Sequence, residues 1–395
     1  MVLGPGIITS FADNDAGGIT TYSIAGSHFG YKLLWILVLI TFALAVIQEI
    51  AARLGVVTGK GLADLIREEY GLQWTLFAMS VLLIANLATI ISNFAGIAAG
   101  FEILGIYKYY SVPIMAFMIW LLVIKSNYRQ AERIFLLLCL LAFCYIISGF
   151  LAKPDWGQAL RATLVPSFEW STHYLFLLIA FIGTTITPWM QFYLQASVVD
   201  KGIHLKRYKY ERLEVILGSF FTNFISFFII IACAATLFKH GIRIETTKDA
   251  ALALQPLAGS FAEILFALGL IGASTLTSFI VPISTSYAIC EAFGFESGLN
   301  HKFKQAPVFY GLYTVLIILG AALILIPNLS LIFVMFLAQI IQGFLLPIIL
   351  IFMFLLVNNK RLMGNFVNNR FYNFVVLGVV LLICSASLAL IFLGL

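Results

Sequence analysis

An all-helical protein that crosses a membrane many times is the fold class this sequence predicts, and three observations predict it. The 395 residues are 62% hydrophobic and only 10% charged, with a mean hydropathy of +1.03. Soluble domains run at roughly 45 to 50% apolar and about 25% charged. The apolar runs are far longer than the roughly 9 to 11 residues of an outer-membrane strand, and they reach the roughly 20 that a spanning helix needs. Lysine and arginine fall mostly on one side of those runs.

Dividing the chain at its charged and turn-rich breaks gives eleven spans, at about residues 2–27, 31–55, 73–100, 110–125, 130–151, 173–199, 212–238, 258–292, 306–326, 329–357 and 371–394. With a cytoplasmic amino terminus, sixteen of the 23 basic residues fall in cytoplasmic segments and seven outside. The positive-inside rule therefore predicts that orientation, with an external carboxyl terminus, in a cell or inner membrane. Topology also accounts for the net charge of +5 without a nucleic-acid partner. No basic n-region follows Met1, so no cleavable signal peptide is expected.

The five cysteines, 139, 144, 233, 290 and 384, lie inside spans and read as core residues rather than a disulfide or zinc framework. The five histidines fall at or near span ends with no metal-motif spacing. Glu49 and Arg53, four apart near the inner end of the second span, suit an intrahelical ion pair. Residues 57–71 read as a short amphipathic cytoplasmic helix, and 240–257 as its external counterpart.

Two spans are interrupted. The first carries Asp13, Asn14, Asp15, Gly17 and Gly18 inside an otherwise apolar run, and the sixth carries Gly183-Thr184-Thr185-Ile186-Thr187-Pro188. An ionised side chain at the bilayer centre costs at least ~2.5 to 3.5 kcal/mol, so the first break is a functional site by default. The breaks are five spans apart. Two halves of five spans each have opposite orientations, and paired broken helices at matching positions point to a transport site at the midplane. The predicted organisation is a single transmembrane domain, with one repeat over about 1–151, a second over about 173–357, and an additional helix at 371–394. Gly17 and Gly18 would permit unwinding, Pro188 would remove a helical donor, and helix ends at Ala12 and Thr184 would leave carbonyls free to ligate a cation.

With these breaks, the motifs Gly4-Pro5-Gly6, Gln48-Glu49-Ile50-Ala51-Ala52-Arg53-Leu54-Gly55-Val56-Val57-Thr58-Gly59, Thr187-Pro188, Gln339 and Lys360-Arg361-Leu362-Met363-Gly364 resemble the NRAMP family of divalent-metal transporters. The resemblance covers nearly the whole chain. It implies the LeuT-like 5+5 inverted repeat with discontinuous helices 1 and 6, and a metal site formed by the two breaks. On it the metal residues are Asp15, Thr187, Asp13, Gln339, Ala12, Thr184, Asn14 and Gln191, with Ala12 and Thr184 contributing carbonyls only. No cofactor and no obligate protein partner are implied; the partners are the transported ion and the bilayer.

The departures from the family pattern carry the substrate expectation. The family's Asp-Pro-Gly-Asn falls on Asp15-Ala16-Gly17-Gly18, so glycine stands where the family has a ligand asparagine. The family's Met-Pro in the sixth span falls on Thr187-Pro188, replacing a thioether by a hydroxyl, although Met190 keeps a thioether close by in the chain. Soft sulfur favours transition metals, whereas carboxylate, carbonyl, hydroxyl and water suit Mg²⁺, Ca²⁺ and Mn²⁺. Mg²⁺ also tends to keep several waters. The expectation is Mg²⁺ uptake, with Mn²⁺ also carried, as in the family's magnesium-transporting branch. Proton-coupled members have an aspartate and a glutamate in the third span and histidines in the sixth; the matching residues here are Asn86, Thr89 and Gln195, which do not exchange protons near neutral pH. The alternatives are a proton-coupled Mn²⁺/Fe²⁺ symporter, a sodium-coupled amino-acid transporter and, from another class, a membrane metal sensor. An intramembrane enzyme would need a histidine-rich metal set or a nucleophile with its base, and the spans show neither.

Overall fold

The computed structural model describes residues 13–125, 143–299 and 303–392. The described residues are helical throughout, with connecting turns. The principal helices are α1 (Ala16–Phe29), α2 (Leu34–Thr58), α3 (Leu62–Ile103), α4 (Lys108–Lys125), α5 (Phe143–Leu151), α6 (Trp156–Leu164), α7 (Thr172–Thr185), α8 (Pro188–Asp200), α9 (Tyr208–Thr236), α10 (Ala262–Phe293), α11 (Pro307–Ile324), α12 (Leu331–Val357) and α13 (Arg370–Phe392). Among these residues, eight helical stretches are long and apolar enough to cross a bilayer, and α4 is a shorter apolar helix. The chain is a multi-pass integral membrane protein. Of the expected spans, 130–151 lies only partly within the described residues, and Ala12, Cys139 and His301 lie outside them.

The packing follows from the five-span spacing. α3 packs along α10, α2 along α9, α4 along α11, and α1 against α7. In each pair the partners stand five spans apart, which is the packing of helices related across a pseudo-two-fold axis. α12 lies over both α3 and α7. The buried face of this bundle holds Phe94, Phe181, Trp189, Phe279 and Phe309, while many leucines, isoleucines and phenylalanines of α4, α11 and α13 face outward, as lipid contact requires.

Loops assigned to the same side meet in space. At the end rich in basic residues, Arg53 hydrogen-bonds the carbonyl of Phe366 at 3.0 Å and the side chain of Asn368, and Gln195 donates to the carbonyl of Lys60 at 2.9 Å. Glu49 and Arg53 form their expected pair at 3.4 Å, and Tyr208 donates to Glu49. At the opposite end, Lys32 pairs with Glu169 at 2.9 Å, Trp35 donates to the carbonyl of Ser167 at 2.9 Å, and Lys108 donates to that of Ile326 at 2.8 Å.

Local differences from expectation have simple causes. The amphipathic stretch at 62–70 is continuous with the third span, because Gly71 takes φ +75° and turns the helix without ending it; only glycine adopts that backbone readily. Residues 156–164 form α6, which the turn-rich loop before the sixth span conceals; Asp155 accepts from the N–H of Gln158 and starts it. Residues 240–257 form short helices at Thr247–Ala251 and Gln255–Ala258.

Candidate metal centre

The two breaks face each other in the middle of the bundle. The first is narrower than the sequence implies: the helical path is interrupted at Asn14 and Asp15, and α1 begins at Ala16. Gly17 and Gly18 are therefore helical, and the expectation that they unwind the chain is corrected. They are glycines because of what touches them. A β-carbon on Gly17 would overlap the Gln339 amide nitrogen of α12. One on Gly18 would lie 3.0 Å from the Asp13 carbonyl oxygen, 3.2 Å from Thr184 Oγ1 and 3.4 Å from Asp15 Oδ1. Residue 18 is glycine because three oxygens from both breaks converge on its α-carbon and leave little room for a side chain.

Asp15 caps α1. Its Oδ1 accepts from the N–H of Gly18 at 2.7 Å, satisfying one of the first-turn donors, and its Oδ2 accepts from Asn93 Nδ2 at 2.8 Å. A carboxylate oxygen has capacity beyond one hydrogen bond, so capping and ligation are compatible. Asn93 of α3 also accepts from the N–H of Ala16 at 3.3 Å. This residue escaped the sequence analysis. Asn86, Thr89 and Asn93 stand at i, i+3 and i+7, one face of a helix, and that polar stripe was the available signal.

The second break runs through Ile186 and Thr187, between the end of α7 and Pro188, which starts α8. Proline is suited to the first helical position because the missing N–H has no partner there anyway. Thr184 departs from the carbonyl-only expectation, since its hydroxyl is the group beside Gly18. The Thr184 and Thr187 hydroxyls, Asp13 Oδ1 and Gln191 Oε1 are all buried with no hydrogen-bond partner. Buried polar atoms are ordinarily paired, and a concentration of unpaired oxygens at two helix breaks is the chemistry an ion with its waters would satisfy. Tyr22 ties the breaks together through its hydroxyl, 2.8 Å from Thr185 Oγ1.

Two candidates are placed less favourably. The Asn14 amide turns to α9, donating to Thr222 Oγ1 at 2.7 Å and accepting from Ser226 at 3.0 Å, so its side chain anchors the break instead of facing the space. Gln339 faces Gly17 with its nitrogen, and its oxygen accepts from Gln342 at 2.7 Å; exchanging both amides would keep that bond and turn the oxygen toward α1. Met190 is fully buried. A different thioether, Met335, one turn from Gln339, accepts from the hydroxyl of Thr20 at 3.5 Å. Asn86 donates to Thr285 at 2.7 Å, and Thr89 bonds back to the carbonyl of Ala85 at 3.0 Å.

Comparison with known proteins agrees with this architecture. The family model described as natural resistance-associated macrophage protein-like matches residues 6–393. A divalent metal cation transporter MntH of Vibrio campbellii is 29% identical, covering 98% of this chain and 90% of that protein. The MntH of Bacillus subtilis is 26% identical, covering 98% and 91%. Among solved structures, a mutant of the Eremococcus coleocola manganese transporter superposes with a TM-score of 0.76 at 19% identity, over 98% of this chain and 85% of that one. MhsT in complex with L-phenylalanine follows the same fold at a TM-score of 0.61 and 15% identity, over 99% and 98%. A family match over nearly the whole chain, on a LeuT-type bundle with both central helices broken, identifies the protein as a member of the Nramp family of divalent metal transporters.

Proposed function

We propose that this protein carries hard divalent cations across the cell membrane, Mg²⁺ first and Mn²⁺ second, by alternating access and without obligatory proton coupling. The observation that carries the reading is the convergence beside Gly18 of the Asp13 carbonyl, the Asp15 carboxylate and the Thr184 hydroxyl. That donor set is all oxygen. Oxygen donors suit Mg²⁺ and Mn²⁺ over softer ions. In this reading the metal residues are Asp15, Asp13 and Thr184, with Thr187 and Gln191 completing the shell through water and Gln339 closing it from α12.

The absence of a carboxylate at Asn86 and Thr89 supports uniport. With the basic face in the cytoplasm, an inside-negative potential supplies about 2.3 kcal/mol per charge per 100 mV, hence ~4.6 kcal/mol for a divalent ion. That is enough to drive uptake. No catalytic role belongs to these residues.

A second reading, proton-coupled Mn²⁺ transport, is favoured by the thioether of Met335 on Thr20 and by the relatives named as divalent metal cation transporters. Reconstitution in liposomes separates the two. Mg²⁺ and Mn²⁺ influx is measured with and without a proton gradient, for the parental chain and for Asp15→Ala. The proposal expects both ions to move regardless of the gradient. Mn²⁺ influx that needs the gradient, with no Mg²⁺ influx, would establish the second reading instead.

A further inference from the structure

We infer that His28 and His173 form a separate binding site for a borderline transition-metal ion such as Zn²⁺, at the end of the bundle opposite the basic loops. His28 lies in the last turn of α1 and His173 in the first turn of α7. The pair therefore joins the far ends of the two helices whose broken ends form the transport site.

The geometry is that of two ligands on one ion. His28 Nδ1 and His173 Nε2 are 3.1 Å apart. Two imidazole nitrogens bound tetrahedrally to Zn²⁺ at about 2.0 to 2.1 Å stand roughly 3.3 Å apart, so the ion replaces the shared hydrogen with a small ring rotation. The two rings lie edge to edge, with centroids 5.1 Å apart and planes 23° apart, and Phe29 lies beside His173 at 5.6 Å. That wall holds the two nitrogens on a common edge. His28 Nε2 is buried and makes no close hydrogen bond, with the backbone of Ile244 as its polar neighbour, so the Nδ1 edge is the one turned to His173. His173 is exposed, which leaves the approach open to solvent.

The charges around the pair set its strength. Glu169, Lys32 and Arg243 line the same pocket; Glu169 is paired to Lys32, and Arg243 opposes a cation. Among the described residues no three His, Cys, Asp or Glu side chains gather as a metal set, so water fills the remaining positions and the site is weaker than a closed structural zinc site. Imidazole selects Zn²⁺, Ni²⁺ and Cu²⁺ over Mg²⁺. The two sites consequently sort metals by hardness.

The test uses the purified full chain in detergent, with Zn²⁺ as the stabilising ligand and Co²⁺ as the spectroscopic one. Zn²⁺ raises the melting temperature of the parental chain and of Asp15→Ala alike, and Co²⁺ gives the visible absorption of a nitrogen-ligated ion. His28→Ala and His173→Ala each weaken binding on the order of 100-fold, at least the loss seen when supporting residues of metal sites are removed. A double His28→Asn, His173→Asn variant keeps polar side chains in place should the alanines misfold, and its melting temperature without metal reports folding. Zn²⁺ stabilisation that survives in the histidine variants, or that disappears in Asp15→Ala, overturns the proposal. So does a parental chain with no Co²⁺ absorption.

Discussion

The two broken helices do different work although they occupy matching places in the two halves. The first break carries the charge, and its surroundings are built to hold it: Asp15 is gripped by the N–H of Gly18 and by Asn93, and Asn14 is pinned to α9 by Thr222 and Ser226. The second break is neutral. Its Thr184 and Thr187 hydroxyls are buried without partners, and the cap position of α8 makes no side-chain hydrogen bond. In the proposed transport site, the charged half would attract the cation and the neutral half, with its unpaired hydroxyls, would complete its coordination.

The largest test of this contrast removes the charge. Asp15→Ala is expected to reduce influx of Mg²⁺ and Mn²⁺ to the liposome background, since deleting one partner of a buried ionic contact costs about 3 to 5 kcal/mol. Asp15→Asn can retain the Gly18 cap while removing the charge and the Asn93 bond; stable protein with no influx is expected, and normal influx would show that the carboxylate acts only as a cap. Next in size is Gly18→Ala. Its β-carbon meets the Asp13 carbonyl at 3.0 Å, and overpacking of about 1 to 3 kcal/mol should lower Mg²⁺ influx roughly tenfold or more. Gly18→Asn, measured by Mn²⁺ against Mg²⁺ competition, should shift preference toward Mn²⁺.

Asn93→Ala probes the grip on the charged side. Losing a hydrogen bond to a charged group costs about 1.5 to 3 kcal/mol, and a rise in KM larger than the fall in maximal rate would mark it as a positioning residue. The neutral side should respond more weakly. Thr184→Ala and Thr187→Ala each remove one hydroxyl, worth about 0.5 to 1.5 kcal/mol, a few-fold effect on influx; Thr187→Met should instead raise Cd²⁺ influx relative to Mg²⁺. The smallest expected effect is none: a proton gradient leaves the Mg²⁺ rate unchanged, and a gradient-dependent rate would transfer a coupling role to groups outside Asn86 and Thr89.

Much of this was legible in the sequence because a membrane enforces simple rules. Backbone groups without water must pair within a helix, so apolar runs divided at charged and turn-rich breaks outlined the spans. The cost of charge in lipid singled out Asp13 and Asp15 before any contact was known, and the five-span spacing of the breaks foretold their meeting. Other features depended on neighbours distant in the chain. Asn93 lies 78 residues from Asp15, and no local pattern says which residue of a polar stripe will reach a carboxylate. Asn14 could have faced the ion or α9, and only the packing of α9 against α1 turned it to Thr222. Whether Thr184 offers a carbonyl or a hydroxyl was settled by where α7 ends relative to Gly18. The sequence by itself determined that the protein spans the membrane with two interrupted helices and a buried acidic centre, because hydrophobicity and charge act through solvent and need no partner. Tertiary structure alone decided which oxygens converge beside Gly18, because direction depends on which helices come into contact.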